Sequence, residues 1–299
     1  FGISNTPTSV SNLSQVSAIS GGAAHSLAVK ADGSAWAWGD NDRGQLGNGT
    51  SIISNVPVAV SGLTQLSAVA AGGAHSLAVK KDGTVWAWGD NHLGQLGLGT
   101  LGGDQLTPVQ ITSLAGVKAV TAGLGHSVAL KTDGTVYTWG DNHTGQLGRG
   151  TLGRGTSGGA SATPGQVIGL SNVTAIASFG AHTLALKADG TVWAWGDNHL
   201  GQLGHGTAGG NSPLPVQVTG LSNITKIVTG LALGAGGIHS LALKSDGTAW
   251  AWGNNFTGQL GTGSFTSSPV PVQVNGLTGG LFIAGGGAHS LAVVTSSSP

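Results

Sequence analysis

The chain has 299 residues, in which 11 Lys and Arg balance 11 Asp, and it contains neither Glu nor Cys. Zero formal net charge gives no general attraction to nucleic acid or to an anionic membrane, and the lack of Cys excludes disulfides and thiolate metal sites. No apolar run reaches the roughly 18 residues of a membrane span. We therefore expect no nucleic-acid partner and no membrane span. The weakly charged, Gly- and Ser-rich composition favours an extracellular or cell-surface location in a bacterium.

A repeated segment runs through the chain and recurs at intervals of 50, 51, 56, 57 and 50 residues. Its recurring histidines are His25, His75, His126, His182, His239 and His289. A period of this length, made of short alternating runs and Gly turns, is typical of a β-propeller. Because the register is continuous, we expect a single domain over residues 1–299.

Each repeat predicts four short antiparallel strands, here called A to D in chain order. In the second repeat, strand A ends at 69–71 and strand B alternates over 76–80. Asp82-Gly83 predicts a two-residue hairpin turn with positive φ, and strand C follows over 84–89. Strand D begins at Pro57 or its equivalents, where a leading proline suits a sheet edge.

Paired tryptophans two residues apart mark strand C, as in Trp86 and Trp88. Alternation places both rings on one side of the sheet and small residues such as Ala87 on the other. We expect these rings to pack between neighbouring sheets, where each would bury roughly 150–250 Å². They are interpreted as core residues and not as a ligand cage or a light sensor.

The motif His-Ser-Leu-Ala-Leu-Lys-x-Asp-Gly-Thr-x-Trp-x-Trp-Gly-x-Asn-x-x-Gly-Gln-Leu-Gly, nearly whole at 182–204 and 239–261, resembles the regulator of chromosome condensation repeat. The resemblance covers essentially the whole chain and implies a β-propeller, usually of seven blades. It does not imply one activity, because members include a nucleotide exchange factor, an ultraviolet-B sensor and a β-lactamase inhibitor. The Trp and Arg that precede the histidine in the sensor are replaced here by small or apolar residues. The few arginines also disfavour chromatin binding.

The loops of a propeller are its usual binding elements. The A–B and C–D loops leave the sheet at the same end, and the two longest departures from the period, at 152–160 and 231–236, fall in them. Repeated residues such as Gln95 are expected to hold the loops. Positions that vary between repeats are expected to bind a protein or surface partner: Arg43, Asn48, His92, Leu93, Leu98, His143, Arg149, His199, Leu200, His205 and Phe256.

Metal binding and catalysis have little support in the sequence. Histidines at equivalent places on adjacent blades are too far apart to converge on one ion at about 2 Å. Nine of the eleven aspartates occupy repeat positions, and a Ser next to a His in a strand points to the opposite face. We expect no metal, no cofactor and no enzymatic activity.

The closing blade is incomplete in the sequence, because its strands A and B at 282–294 are not followed by a Trp strand. Residues Thr6 to Val10 are expected to supply its outer strand, so that the two termini share the blade. Three explanations stay open: residues beyond the termini, a three-stranded blade, or a strand donated by another chain. We expect an all-β propeller of six blades, or seven with flanking residues. Its expected role is a non-catalytic binding scaffold, with a self-assembling structural subunit as the alternative and a secreted enzyme or enzyme inhibitor third.

Overall fold

The computed structural model describes residues 6–152, 159–232 and 237–295, and all regular structure in these ranges is β-strand. The strands form six antiparallel sheets, each built from strands that are consecutive in the chain. The predicted all-β fold with six blades is therefore confirmed. No helix in the described ranges is long and apolar enough to cross a membrane.

The strand bounds repeat closely from sheet to sheet. Sheet 1 contains β1 (Val16–Gly21), β2 (His25–Lys30), β3 (Ala35–Gly39) and β4 (Ser54–Ala59). Sheet 2 contains β5 (Leu66–Ala71), β6 (His75–Lys80), β7 (Val85–Gly89) and β8 (Gln105–Gln110). Sheet 3 contains β9 (Val117–Ala122), β10 (His126–Lys131), β11 (Val136–Gly140) and β12 (Ser161–Gln166). Sheet 4 contains β13 (Val173–Ser178), β14 (His182–Lys187), β15 (Val192–Gly196) and β16 (Ser212–Gln217). Sheet 5 contains β17 (Ile224–Ala232), β18 (Gly237–Lys244), β19 (Ala249–Gly253) and β20 (Ser268–Gln273), and sheet 6 contains β21 (Gly280–Gly285) and β22 (Ser290–Val294).

The first strands of all six sheets face a common space. A channel of about 400 Å³ is lined by residues of β1, β5, β9, β13, β17 and β21. Each first strand pairs only with the second strand of its own sheet, and the fourth strand lies at the outer edge. The sheets are therefore blades arranged around an axis, as in a propeller.

The turn between the second and third strands differs from the predicted two-residue hairpin. In sheet 1, Lys30 N donates to Ser34 O (2.9 Å) and Gly33 N donates to Lys30 O (2.9 Å), so three residues lie between the last paired positions. Only Gly33 has a positive φ, of 79°, and Asp32 does not. This is a type I turn followed by a glycine bulge, which suits an Asp-Gly sequence as well as the two-residue turn does. Asp32 Oδ1 accepts hydrogen bonds from the amide and hydroxyl of Ser34.

The tryptophan pairs divide into two environments. Trp88, Trp139, Trp195 and Trp252 are completely buried, each in one of the cores between adjacent blades. Their partners in the pairs, such as Trp86, are half-buried, with a lysine ammonium above the ring. Trp38, the equivalent ring of sheet 1, is half-buried and lines a cavity together with Val10 and Leu13. Both rings of a pair therefore pack at the boundary between blades, as expected, but only one of them is completely buried there.

Sheet 6 has two strands in the described part of the chain. Residues Thr6–Val10 form no strand, so the expected sharing of this blade by the two termini is not observed. Leu291 and Val293 on β22 are 61% and 57% exposed, whereas the equivalent Leu77 and Val79 on β6 are buried. The difference arises because Leu77 and Val79 pack in a core with Trp139 of sheet 3, whereas no other described sheet covers the corresponding face of sheet 6.

Candidate binding face

The A–B turns and the C–D loops lie on one side of the propeller, which we call the front face. The amide of Asp90, at the start of a C–D loop, donates to Ala74 O in the A–B turn of the same sheet (2.9 Å). The loop of sheet 3 also reaches the next sheet, where Thr144 Oγ1 donates to Ala181 O (3.3 Å). Loops of successive blades thus form one continuous surface.

The C–D loops of sheets 1 to 5 are held by an Asn and a Gln that recur in the first five repeats. In sheet 2, Asn91 Oδ1 accepts the amide of Leu96 (3.2 Å), and Asn91 Nδ2 donates to the carbonyls of Thr100 and Gly102 (3.1 Å each). Gln95 Nε2 donates to the carboxylate of Asp90 (2.8 Å). Both amide side chains are buried. The repeated residues therefore fix the loop backbone, as expected for polar side chains that replace missing backbone partners.

A second network connects adjacent blades, and the sequence pattern did not predict it. His75 Nε2 lies 2.9 Å from Ser127 Oγ of the next blade, and Ser127 Oγ donates to Gln95 O (2.7 Å). The indole Nε1 of Trp139 donates to the same carbonyl (2.8 Å). In sheets 2 to 6, the hydroxyl of the Ser or Thr that follows the framework histidine therefore contacts the histidine of the preceding blade. The recurrence of this dipeptide was the only available signal, and it does not show which blades the two side chains join.

Burial strongly affects the framework histidines. Desolvation lowers the pKa of His25, His126 and His239 to about 4. Desolvation, together with the neighbouring framework histidines, lowers the pKa of His75 and His182 to about 3. These imidazoles are neutral at physiological pH and inaccessible to a substrate. Their Ser–His contacts are therefore structural.

One repeated loop position of the front face carries an exposed side chain on successive blades. His92, His143 and His199 are 55%, 49% and 67% exposed, and in each the Nδ1 atom contacts the Oδ1 of the aspartate two residues earlier. Phe256 stands at the same position in sheet 5 and is 62% exposed. Three successive blades thus present an Asp-supported imidazole, followed by an aromatic ring on the next blade.

Arg43 and Asp104, which have no counterparts in other repeats, meet across the boundary between sheets 1 and 2. Arg43 Nη1 lies 3.4 Å from Asp104 Oδ2, and His92 Nδ1 lies 3.4 Å from Asp104 Oδ1. Asp90, His92 and Asp104 are also the one group in the described ranges whose ligand atoms, within 4.8 Å of one another, could hold a metal ion. The partly exposed ion pair contributes little stability, about 0–1 kcal/mol.

The other predicted binding residues are less exposed. Leu93, Leu98, Leu200 and His205 are half-buried, and Leu98 packs against the core between sheets 2 and 3. Asn48 Oδ1 accepts from the amide and hydroxyl of Thr50. Arg149 donates to Thr138 O and to Ser161 Oγ, and burial lowers its pKa. These side chains shape the loops, while Arg43, His92, His143, His199 and Phe256 face solvent.

The two loop segments that depart from the repeat period, 152–160 and 231–236, were expected to enlarge this face. They lie mostly outside the described residues. Where the second is described, β17 and β18 extend as a ladder that pairs Leu231 with Ile238 and Ala232 with Gly237.

Comparison with known families identifies this architecture. The family described as the RCC1-like domain matches residues 3–298. The chain belongs to the RCC1-like domain family. The resemblance to the regulator of chromosome condensation repeat is thereby confirmed.

Curated relatives share a moderate level of identity with this RCC1-like domain. The Arabidopsis thaliana mitochondrial protein RUG3 is 34% identical over 59% of this chain and 40% of its own length. The Arabidopsis thaliana ultraviolet-B receptor UVR8 is 33% identical over 87% of this chain and 46% of its own length. Human HERC6, a probable E3 ubiquitin-protein ligase, is 36% identical over 58% of this chain and 16% of its own length. The chain thus spans less than half the length of these relatives.

Solved structures show the same fold at lower identity. Human WBSCR16 has a TM-score of 0.67 at 22% identity and covers 95% of this chain and 89% of its own. Prp20p from Saccharomyces cerevisiae has a TM-score of 0.67 at 21% identity and covers 94% of this chain and 83% of its own. The latter structure was reported with binding properties to Gsp1p and histones.

The expected extracellular or cell-surface location is wrong. The relatives that match the RCC1-like domain include a mitochondrial protein, and none of those described above is a secreted bacterial protein. The expectation was based on weakly charged, Ser- and Gly-rich composition. In this fold the glycines serve positive-φ turns, as at Gly33 and Gly83, so the composition reflects loop geometry and not the compartment.

Proposed function

We propose that this RCC1-like domain is a non-catalytic protein-binding scaffold and that its front face is the binding surface. One observation carries the proposal. The loop position occupied by Asp42, His92, His143, His199 and Phe256 is exposed in all five described C–D loops, while the Asn and Gln frame around it is constant. Because constant Asn and Gln residues hold the loop backbone, the residue at the variable position can differ between blades without disturbing the fold, and such a position can determine which partner is bound.

The chemistry of this position suits a protein partner. In His92, His143 and His199 the contact from Nδ1 to an aspartate orients the ring, so that Nε2 is available to a partner as a hydrogen-bonding group. Phe256 adds an aromatic surface, and Arg43 adds a partly exposed guanidinium. Aromatic and arginine side chains are common energetic centres of protein interfaces.

The remaining predicted residues belong to the proposal as supporting positions. They are Asn48, Leu93, Leu98, Arg149, Leu200 and His205, and their half-buried contacts set the shape of each loop. The binding reported for Prp20p supports a protein partner in general, and it leaves the identity of the partner of this chain open.

Absence of catalysis is part of the proposal. The Ser–His contacts between blades are buried, and the exposed Asp–His pairs in the described loops have no Ser nucleophile within hydrogen-bond distance. Acyl transfer of the triad type requires both an accessible nucleophile and an adjacent base. A turnover screen with esters, glycans and peptides should therefore give no activity above that of the heat-unfolded chain.

A second candidate function is assembly of identical subunits through sheet 6. The observation that favours it is the exposure of Leu291 and Val293 on β22, whose second edge has no neighbour among the described strands, since such edges recruit strands. Light scattering distinguishes the two, because assembly predicts a mass that rises with protein concentration and the scaffold proposal predicts a constant monomer mass.

The test of the scaffold proposal compares two matched triple variants in affinity capture from the native source. The front variant carries His92→Ala, His143→Ala and His199→Ala. The rear variant carries Lys81→Ala, Thr132→Ala and Ser245→Ala, which are exposed positions of the B–C turns on the opposite face.

We expect wild type and the rear variant to retain the same partner and the front variant to lose at least tenfold in affinity. Equal retention by the front variant would show that this surface is not the binding site.

A further inference from the structure

A cavity of about 390 Å³ lies at the rear of the propeller, the side of the B–C turns, between sheets 2 and 3. Three lysines line it: Lys80 at the end of β6, Lys81 in the B–C turn that follows, and Lys118 in β9. Its lining residues all lie between positions 67 and 132, within two complete four-stranded sheets. The cavity is separate from the exposed loop position proposed to bind a partner on the front face.

Two of the three lysines depart from the repeat. At the position of Lys118, the other four-stranded sheets have a residue whose hydroxyl donates to a carbonyl of the second strand: Ser17, Ser67, Thr174 and Thr225. At the position of Lys81 they have a small residue: Ala31, Thr132, Ala188 and Ser245. The framework of the blade therefore requires neither lysine, and both side chains are exposed.

Lys80 occupies a repeated lysine position but differs from its equivalents in its contacts. In the other four-stranded sheets the equivalent ammonium lies 3.7–4.0 Å from the carboxylate of the turn aspartate. Lys80 Nζ instead lies over the ring of Trp86, 4.4 Å from its centroid. Among the described residues, no carboxylate lies within 4.0 Å of the ammonium groups of Lys80, Lys81 or Lys118.

A missing side chain leaves room beside these lysines. Gly116 precedes β9 with a φ of 69°, and the equivalent positions in sheets 2, 4 and 5 carry side chains at φ values of 57–58°: Gln65, Asn172 and Asn223. A Cβ added at Gly116 would meet only Thr132 Oγ1 (3.7 Å) and Lys131 Cε (3.9 Å) within 4 Å, so the position has space for a side chain. Sheet 6 also has a glycine there, Gly279, but no added lysine beside it.

The charge of the cavity fits a doubly charged anion. Asp82 is the one acidic residue in the lining, and its Oδ1 accepts hydrogen bonds from the amide and hydroxyl of Thr84 (2.9 and 2.7 Å). Three lysines and one aspartate therefore give a formal charge of +2. Between sheets 4 and 5 the equivalent residues are Lys187 and Asp189, whose charges cancel. A phosphate monoester carries about −1.5 to −2 at pH 7, and lysine ammonium groups are common phosphate ligands.

The remaining lining residues indicate the class of molecule that carries the phosphate. Ser67 and Thr132 contribute hydroxyl groups, and the described lining residues include no aromatic side chain. A nucleobase binds largely by stacking on aromatic rings, so this cavity offers it no platform. Hydroxyl side chains both donate and accept hydrogen bonds, which suits the hydroxyl groups of a sugar.

We propose that the cavity between sheets 2 and 3 binds a small hydroxylated phosphate monoester of the sugar phosphate class. Lys80, Lys81 and Lys118 contact the phosphate oxygens. The space beside Gly116 admits the ligand between the two turns, and the hydroxyls of Ser67 and Thr132 contact the sugar.

The probe is glucose 6-phosphate, titrated into the full chain by isothermal titration calorimetry in a phosphate-free, low-salt buffer. We expect saturable binding at one site that weakens as salt is added, and at least about tenfold weaker binding of glucose, which lacks the charge. No saturable binding of glucose 6-phosphate, or equal binding of glucose, would overturn the proposal. Tighter binding of a phosphoserine peptide than of glucose 6-phosphate would assign the site to a phosphorylated protein and would also overturn it.

Three variants, each of which introduces a residue that another sheet has at the same position, locate the site. Gly116→Asn fills the cavity without changing its charge and copies Asn172, whose φ is also positive. Lys118→Thr removes one charge and copies Thr174. The matched control, Lys226→Ala, removes one charge from the rear of sheet 5 and copies the alanine at position 175 of sheet 4.

We expect Gly116→Asn and Lys118→Thr each to weaken binding of glucose 6-phosphate at least about tenfold, and Lys226→Ala less than about twofold, with circular dichroism unchanged in all three. Equal weakening by Lys118→Thr and Lys226→Ala would show a response to overall charge and would contradict a defined site. Unchanged binding by Gly116→Asn would show that the cavity is not used.

The front variant with three histidines replaced should bind glucose 6-phosphate as wild type does. Failure of the front-face proposal and failure of this one are therefore distinguishable. Loss of binding in the front variant would place the ligand on the front face and overturn the assignment to the rear cavity.

Discussion

Acid should unfold this propeller well above the pH at which its aspartates titrate, because five framework histidines are buried in neutral form. Their pKa values fall from an ordinary 6.5 to about 4 in His25, His126 and His239 and about 3 in His75 and His182. In the unfolded chain each regains a pKa near 6.5. Between pH 6.5 and 4 the unfolded state therefore binds more protons than the folded state, and the free energy of unfolding falls as the pH falls.

The magnitude follows from the size of the shifts. At pH 5 an unfolded histidine is protonated and a framework histidine is not, which lowers the free energy of unfolding by about 2 kcal/mol for each residue. Five such residues give about 10 kcal/mol, comparable with the whole stability of an ordinary domain. Hydrogen bonds from the second residue after each aspartate, a Ser or Thr, lower the pKa of the aspartates in the B–C turns. These aspartates therefore change the free energy of unfolding mainly below their ordinary pKa of 3.8.

The assay is guanidinium unfolding at pH 7.5, 6.5, 5.5 and 5, with proton uptake measured by calorimetry in buffers of different ionisation enthalpy. We expect a loss of about 2 kcal/mol between pH 7.5 and 6.5 and a steeper loss below, with about five protons taken up on unfolding at pH 5. His75→Gln, which cannot titrate, should reduce the uptake by one. A stability that is constant from pH 7.5 to 5, or an uptake of one proton or fewer, would refute the assignment of neutral buried histidines.

Three further predictions concern the contacts between and within blades, each measured as the free energy of unfolding in denaturant. Trp139→Ala should cost about 3–5 kcal/mol, whereas Trp38→Ala, at the equivalent but half-buried position of sheet 1, should cost less than half as much; equal costs would contradict packing between blades. Ser76→Ala removes a partner of both a buried imidazole and a buried carbonyl and should cost about 1–3 kcal/mol, against near zero for the equivalent Ser26→Ala, which makes no such contacts. Asn91→Ala should cost at least about 2 kcal/mol and speed hydrogen exchange in its own loop only, so exchange that rises throughout the protein would count against a local frame.

Features set by local sequence could be predicted, since each depends on residues close in the chain. The repeat period located every blade, and alternation placed Trp88 and Ala87 on opposite faces of β7, as observed. Strand D begins three residues before Pro57, at Ser54, because edge pairing does not require the proline amide. The Asp32-Gly33 turn has one more residue than predicted because the dipeptide alone suits two turn types.

Features that depend on the neighbouring blade could not be read from the sequence. Trp86 and Trp88 look equivalent in the pattern, yet only Trp88 reaches the carbonyl of Gln45 in the preceding blade and is buried. His25 and Ser26 are neighbours in the chain, but the hydroxyl that His25 contacts belongs to Ser76. These distinctions depend on how sheets pack around the axis, and no local period encodes that.

The predicted binding positions show the same division. The sequence identified loop positions that vary, and the structure divides them by exposure, with His143 facing solvent and Arg149 turned onto Thr138 and Ser161. A long side chain in a loop can lie on the neighbouring strand or project outward. Only the packing around it decides which occurs.

Site-specific photo-crosslinking tests the central claim, that the front face is the recognition surface, most directly. A benzophenone amino acid is placed at position 143 on the front face or at position 132 on the rear, and each chain is irradiated in extract of the native source. We expect a discrete crosslinked protein from position 143 and none from position 132. The same product from both positions, or a product from position 132 alone, would contradict the account.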